Sequence, residues 1–303
     1  ERIGDDYLVP NMTDYTKRFD LEKGPIAISG NMSRHRVMYL AYDITKQIQE
    51  GRNALGVILG NGFYDAVNLN IPCSKFGDEC LRLQLQLTYA DGTTQTVISD
   101  NTWETKPSAI TLNGVHAGEI YNANLETPLW ATTEDNSQGW QRVKCIEGPT
   151  GMMTAHTAPT DKIVESLKPI SLHQREDGAW VVDFGKEISG WLHLHDLKGE
   201  KGDTVKVDYI SESVQGNMRY VMNGSGSEEY APRFTWFAFS KAVISGVKEL
   251  SMRNLTADVV NTHVEKTADF HTTDTLFNRI NEIWQRSQLD NMHGGIASDC
   301  PHR

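Results

Sequence analysis

From Val37 onward hydrophobic and polar positions fall into short runs bounded by turn-forming residues, the pattern of β-strands. The first such segments are VMYLAYDI from Val37, NALGVILG from Asn53 and LRLQLQLTY from Leu81. In the third, Leu81, Leu83, Leu85 and Leu87 alternate strictly with polar residues, and Ala90-Asp91-Gly92-Thr93 then turns the chain into a partner strand, Thr94 to Ile98. A last strand of this group is predicted at Trp140-Gln141-Arg142-Val143, and Gly148-Pro149-Thr150-Gly151 reads as a linker. A second run follows, with strands over Lys162 to Leu172, Trp180 to Phe184, Trp191 to Leu197 and Thr204 to Ile210, broken by turn-forming clusters of Gly, Asp, Glu and Lys. Asn223 to Tyr230 is predicted as a polar loop, Pro232 to Phe237 as an aromatic-rich strand, and Thr256 to Val264 as a final strand. The expectation is a mainly β chain of two antiparallel β-sandwich, jelly-roll-like domains, over 1–147 and 148–268.

The period changes at residue 272. Leu276, Phe277, Ile280, Ile283 and Trp284 recur at helical spacing behind Thr272-Thr273-Asp274, which supplies cap-type residues. One amphipathic helix is predicted, ended by Gly294-Gly295 and followed by a polar hook, Ser298-Asp299-Cys300-Pro301-His302-Arg303. Taken alone, that hook reads as a solvated tail with a capping aspartate.

Composition narrows the functions open to the chain. Across 303 residues the formal net charge is -11 with no Lys/Arg cluster, which argues against nucleic acid and anionic membrane as partners. No apolar run approaches the roughly 20 residues of a membrane span. Cys73, Cys80, Cys145 and Cys300 are too few and too scattered for a disulfide framework; Cys73 and Cys80 either close a small loop or stay free and buried. His193 and His195 project from one face of a strand, a start for metal ligation, but no third ligand stands in evident register and they are assigned to an exposed or core-edge position. Asp183-Phe184-Gly185 is not a kinase signature, since no glycine-rich nucleotide loop or catalytic-loop motif accompanies it.

Several motifs together resemble the bacterial α-L-rhamnosidases, glycoside hydrolase family 78. Asp299-Cys300-Pro301-His302-Arg303 after a long helix with Asn291-Met292 near its end is similar to the approach to that family's catalytic domain. Gly60-Asn61-Gly62-Phe63-Tyr64 resembles its N-terminal Leu-Gly-Asn-Gly-Trp-Tyr, and Asp183-Phe184-Gly185 with Gly190-Trp191 and Pro232-Arg233-Phe234-Thr235-Trp236 resemble two further segments. Gly118-Glu119-Ile120-Tyr121-Asn122-Ala123-Asn124 resembles Gly-Glu-x-Tyr-Asp-Ala-Arg, with Asn122 and Asn124 where the family usually carries an acid and an arginine.

The resemblance implies that residues 269–303 are the first helix and sugar-binding hook of an (α/α)6 barrel, and that the chain continues before Glu1 and after Arg303. It implies hydrolysis of α-L-rhamnosides by an inverting pair of carboxyls roughly 6.5–9.5 Å apart, both lying beyond Arg303, so that no catalytic residue is expected within the chain. Asp299 and Arg303 are the implied substrate-binding residues: a carboxylate accepts from two vicinal hydroxyls and a guanidinium donates to sugar oxygens. Glu119 and Tyr121 are candidates for accessory sugar binding, or equally a sheet-edge carboxylate and a half-buried ring. Rhamnose-containing glycans are the implied partners, a homodimer is a candidate assembly, and no cofactor is required, calcium in the N-terminal domain being weighed against the departures at Asn122 and Asn124. The competing readings are a non-catalytic carbohydrate-binding module, which leaves ring faces such as Phe63, Tyr64 and Tyr121 open, and a scaffold, which buries them.

Overall fold

The computed structural model describes residues 2–7, 36–61, 79–134, 138–147, 152–211, 216–294 and 296–297. Its first elements are small. They are β1 (Arg36–Tyr39), the hairpin β2 (Gln84–Thr88) and β3 (Thr94–Ile98), β4 (Glu104–Thr105), β5 (Ile110–Gly114), β6 (Gly118–Asn122), β7 (Gln141–Arg142) and β8 (Met152–Ala155). The β2–β3 ladder runs in the register the alternation predicts, Leu85 opposite Val97, and the leucines are half-buried while their neighbours are exposed. Asp91 builds the turn, accepting from both the amide and the hydroxyl of Thr93. No strand forms over Asn53 to Gly60, contrary to expectation. Its glycines serve contact instead: a Cβ at Gly56 would lie 2.2 Å from the Trp130 ring, and one at Gly60 2.3 Å from the Phe234 ring.

The core belongs to one ten-stranded sheet. Its further members are β9 (Asp161–Leu167), β10 (Ser171–Gln174), β11 (Trp180–Leu197), β12 (Thr204–Ile210), β13 (Asn217–Val221), β14 (Glu228–Tyr230), β15 (Phe237–Ser245) and β16 (Leu255–Thr262), in the order β5-β6-β13-β12-β15-β11-β16-β9 with β10 and β14 beside β11. The two strands predicted within 180–197 are a single strand of 18 residues. It stays continuous because it changes neighbours: β15 pairs up to Gly190, and β16 pairs from Gly190 to Leu194. Gly190 is required at the crossing, since a Cβ there would sit 1.9 Å from the Asp258 carbonyl oxygen.

Val182, Phe184, Leu192 and Leu194 of β11 pack with Val205, Val207, Phe237, Phe239 and Ile244 into a cluster shut from water. Each such side chain contributes about 1.5–3 kcal/mol. Tyr209 stacks on Phe237 at 3.9 Å, and its hydroxyl accepts from the Leu192 amide at 3.0 Å.

Most ladders are antiparallel, as expected, but two are parallel: β1 with β8, and β6 with β13. Parallel partners need a long crossover, and β6 and β13 are separated by most of the chain's middle. That pairing carries β5 and β6 into the sheet of later strands. The predicted strand at Pro232 to Phe237 begins only at Phe237, and the predicted polar loop contains β14.

The helix α1 (Thr275–Asp290) starts where predicted, with the Asp274 carboxylate accepting from the Leu276 amide at 2.8 Å. It ends at Asp290, four residues before Gly294, and β17 (Met292–His293) and β18 (Ile296–Ala297) follow as a short ladder. No helix among the described residues is long and apolar enough to cross a membrane.

Candidate functional site

The approach to the terminal hook is held by a buried carboxylate at the start of β9. Asp161 is 0% exposed. Its Oδ1 accepts from the Thr262 hydroxyl and the Gly294 amide, both at 2.8 Å, and its Oδ2 lies 2.9 Å from His293 Nδ1. The His293 ring stacks on Trp236 at 4.1 Å. One turn earlier, Asp290 Oδ1 accepts from the Ser189 amide of β11 at 3.0 Å. Burial pushes the Asp290 carboxyl up to about 6, against the pull of that amide. Three sheet strands therefore seat residues 290–294, just before the hook.

A second internal carboxylate, Glu119 of β6, is also 0% exposed. It accepts from the Tyr230 hydroxyl at 2.8 Å and from the amides of Arg233 and Phe234 at 3.0 and 3.1 Å. Burial raises its pKa against those three hydrogen bonds. Tyr121 is half-buried, with its ring against Tyr220 and Tyr230 and its hydroxyl on Glu126 at 2.6 Å. Asn122 Oδ1 accepts from the amide and side chain of Asn124, whose Nδ2 also donates to the Met222 carbonyl. These side-chain oxygens and donors form a local cap.

On the far part of β11, His193 and His195 lie with ring centroids 4.0 Å apart. His193 Nδ1 is 3.1 Å from Asp258 Oδ2 and its Nε2 is 2.7 Å from Glu229 Oε1. His195 Nε2 is 2.8 Å from the Thr256 hydroxyl, and its Nδ1 is 3.7 Å from the same Glu229 oxygen. Burial pulls the His193 pKa down, but Asp258 and Glu229 outweigh it and the net shift is upward. The His195 pKa is lowered, by burial and by His193 beside it. His193 and Glu229 also line a cleft of about 300 Å³ with Arg2, Tyr7 and Arg233.

Of the residues singled out from sequence, Glu119 turns inward onto Tyr230, Arg233 and Phe234, and Tyr121 packs beside it on Tyr220 and Tyr230. Asp299, Arg303, Phe63 and Tyr64 lie outside the described residues, as do Cys73 and Cys300. Cys80 is free and exposed rather than buried, and Cys145 is also free and exposed. Sequence reasoning missed Asp161, Asp258 and Glu229. Asp161 and Asp258 bond partners 65 to 133 residues away, beyond the reach of any local pattern. Glu229 overturns the absence of a third group near the two histidines, and its only signal was the short β14 concealed in a polar stretch.

Residues 30–165 match the family described as Alpha-L-rhamnosidase N-terminal domain, and residues 173–261 match Bacterial alpha-L-rhamnosidase concanavalin-like domain. An α-L-rhamnosidase of Formosa agariphila is 31% identical over 329 residues, taking in 100% of this chain and 32% of that protein. One of Streptomyces avermitilis is 25% identical, over 100% of this chain and 29% of its own length. Among solved structures, the α-L-rhamnosidase of Dictyoglumus thermophilum superposes with a TM-score of 0.84 at 30% identity, covering 100% of this chain and 33% of that one. The Streptomyces avermitilis enzyme complexed with L-rhamnose shares the fold with a TM-score of 0.83 at 23% identity, covering 100% of this chain and 29% of that one. The chain spans about a third of the length of these relatives. By its two domain matches and its motifs, the chain belongs to the bacterial α-L-rhamnosidase family.

Proposed function

We propose that the chain is the accessory β-part and first barrel helix of an inverting α-L-rhamnosidase, and that it supplies the front wall of the sugar site while the acid and base come from sequence beyond Arg303. The observation that carries this reading is the Asp161 cradle. It holds His293 and Gly294 against the sheet, so that the segment ending in Asp299 and Arg303 leaves a fixed point rather than a frayed helix end. A site that must place a carboxylate against vicinal hydroxyls needs such fixing, because misplacement by an ångström removes much of the orienting gain.

The helix supports the barrel part of the reading. Leu276, Phe277, Ile280, Ile283 and Trp284 form an apolar stripe, each at least 46% exposed, which fits a helix whose other side is covered by barrel helices. In this scheme Asp299 accepts from two rhamnose hydroxyls, Arg303 donates to sugar oxygens and orients that acid, and Pro301 stiffens the turn between them. The inverting pair would then protonate the leaving oxygen on one face and activate water on the other. The β-domains act as a brace rather than as a sugar platform, a preference supported by the inward-facing Glu119 and the stacked ring of Tyr121.

The test is hydrolysis of an aryl α-L-rhamnoside by the longer protein that carries this chain, with an aryl β-glucoside as control and NMR of the first-formed anomer. The expected result is turnover of the rhamnoside alone, release of the inverted anomer, and a fall in kcat/KM of about 100-fold for Asp299→Ala. Turnover by the 303-residue chain alone, or an Asp299→Ala protein that works normally, would contradict it.

A further inference from the structure

The outward part of β11 carries a cluster that rhamnoside hydrolysis does not use. His193 and His195 are two residues apart on one strand, and each is tied down by one ring nitrogen. For His193 the tie is Nδ1 to Asp258, a carboxylate only 3% exposed and itself held by the Ser166 hydroxyl at 2.6 Å. For His195 it is Nε2 to the Thr256 hydroxyl. The free nitrogens, His193 Nε2 and His195 Nδ1, both face Glu229 Oε1, at 2.7 and 3.7 Å, and one ligand atom from each of the three residues lies within 4.8 Å of the others.

We propose that His193, His195 and Glu229 form a binding site for a first-row divalent metal ion, zinc by its ligand set, which fastens β14 to β11. Metal–ligand bonds of about 2.0–2.1 Å in a tetrahedron place ligand atoms about 3.3 Å apart, and the two distances to Glu229 bracket that value. Two imidazoles and one carboxylate suit zinc and its neighbours and disfavour calcium and magnesium, which take oxygen. The buried aspartate behind His193 is the arrangement that fixes ring orientation and raises basicity in zinc-bound histidines. The adjoining cleft of about 300 Å³ leaves room for water as a fourth ligand.

The bond would act where the sheet is weakest. β14 meets β11 at only two register positions, with a shift between Leu194 and Leu197. Its Tyr230 and the residues just after it donate to Glu119, so fixing Glu229 steadies the clamp that joins β6 to the later strands. A simple ion pair between His193 and Glu229 would not explain why His195 turns its second nitrogen to the same oxygen at 3.7 Å, a separation too long for a hydrogen bond.

The test is calorimetric titration of the metal-free protein with zinc chloride, in a background in which Cys73, Cys80, Cys145 and Cys300 are serine so that thiols cannot bind the ion. One equivalent should bind at micromolar or tighter Kd and raise Tm, with calcium chloride doing neither. Glu229→Gln and His195→Ala should each weaken zinc by about tenfold or more while leaving the metal-free Tm within a degree or two. Glu229→Gln is nearly isosteric and exposed, so it reports on ligation rather than folding. Cobalt(II) should give the visible bands of a tetrahedral site, and the same variants should remove them. Zinc that binds the parent no tighter than the two variants, an adventitious ion only, overturns the proposal, as does the absence of a saturable equivalent.

Discussion

Two histidine–aspartate pairs lie along β16, and they differ in what surrounds them. In the inner pair, His293 and Asp161 are 10% and 0% exposed in their side chains, the ring is stacked on Trp236, and among the described residues the far nitrogen has no hydrogen-bond partner. In the outer pair, His193 and Asp258 are 24% and 5% exposed, and the far nitrogen reaches Glu229 on a neighbouring strand. The same two side chains thus serve different ends. Shut in, the pair is a brace in which one carboxylate meets the Thr262 hydroxyl, the Gly294 amide and His293 Nδ1. Opened on one side to a second carboxylate and a second imidazole, it becomes a place where an ion can bind. What separates them is the third group and access to water, not the pair itself.

Removing the inner acceptor is the sharpest way to break this contrast. Asp161→Ala leaves the Thr262 hydroxyl, the Gly294 amide and His293 Nδ1 without their partner, at about 1–3 kcal/mol for each buried group, so urea unfolding should show a loss of about 3–5 kcal/mol. A loss below about 1 kcal/mol would mean that water replaces the carboxylate and that the brace is not one.

The next effect is a gain. Asp290 keeps its carboxyl at about 6 rather than 3.8, so in the folded chain the ionised form is disfavoured. Its contribution is full below about pH 4 and is lost as pH rises through 6. Asp290→Asn retains an acceptor for the Ser189 amide and removes the charge from the carbonyl end of α1. Thermal unfolding should find the variant more stable by up to about 3 kcal/mol above pH 7 and level with the parent at pH 4. A difference that does not change with pH would assign the effect to packing instead.

Much of this was legible beforehand, and the misses have physical reasons. The β2–β3 hairpin, the Asp274 cap and the apolar stripe of α1 were readable because each is decided by residues within a few positions of one another. The length of β11 was not, because the alternation that marks strands at Trp180 to Phe184 and Trp191 to Leu197 lapses between them, where the chain bulges, resumes on β15 and passes to β16 from Gly190. Glu119 was legible as important and illegible in role: the motif around it says nothing about Tyr230 and Arg233, more than 110 positions on, which turn it inward. Glu229 was hidden for the converse reason. A strand of three residues in a stretch of Gly, Ser and Asn has no period to detect.

Two smaller effects sharpen the contrast. Glu119→Gln can satisfy only part of the set formed by Tyr230, Arg233 and Phe234, and chemical denaturation should register a loss of about 1–3 kcal/mol. Glu229→Gln, on an exposed side chain, should move metal-free stability by no more than about 0.5 kcal/mol in the same experiment. If the outer substitution costs as much as the inner ones, the two pairs are alike and the distinction fails.

The most direct measurement is amide hydrogen exchange at Gly294, read against Leu192 in the sheet, in the parent and in Asp161→Ala. The Gly294 amide donates to Asp161 from a buried position, whereas Leu192 sits inside β11. Loss of protection at Gly294 well beyond any change at Leu192 is the predicted result, and it would locate the seat of residues 290–294 in that one carboxylate. Equal changes at both positions, or a Gly294 amide as slow to exchange as in the parent, would contradict it.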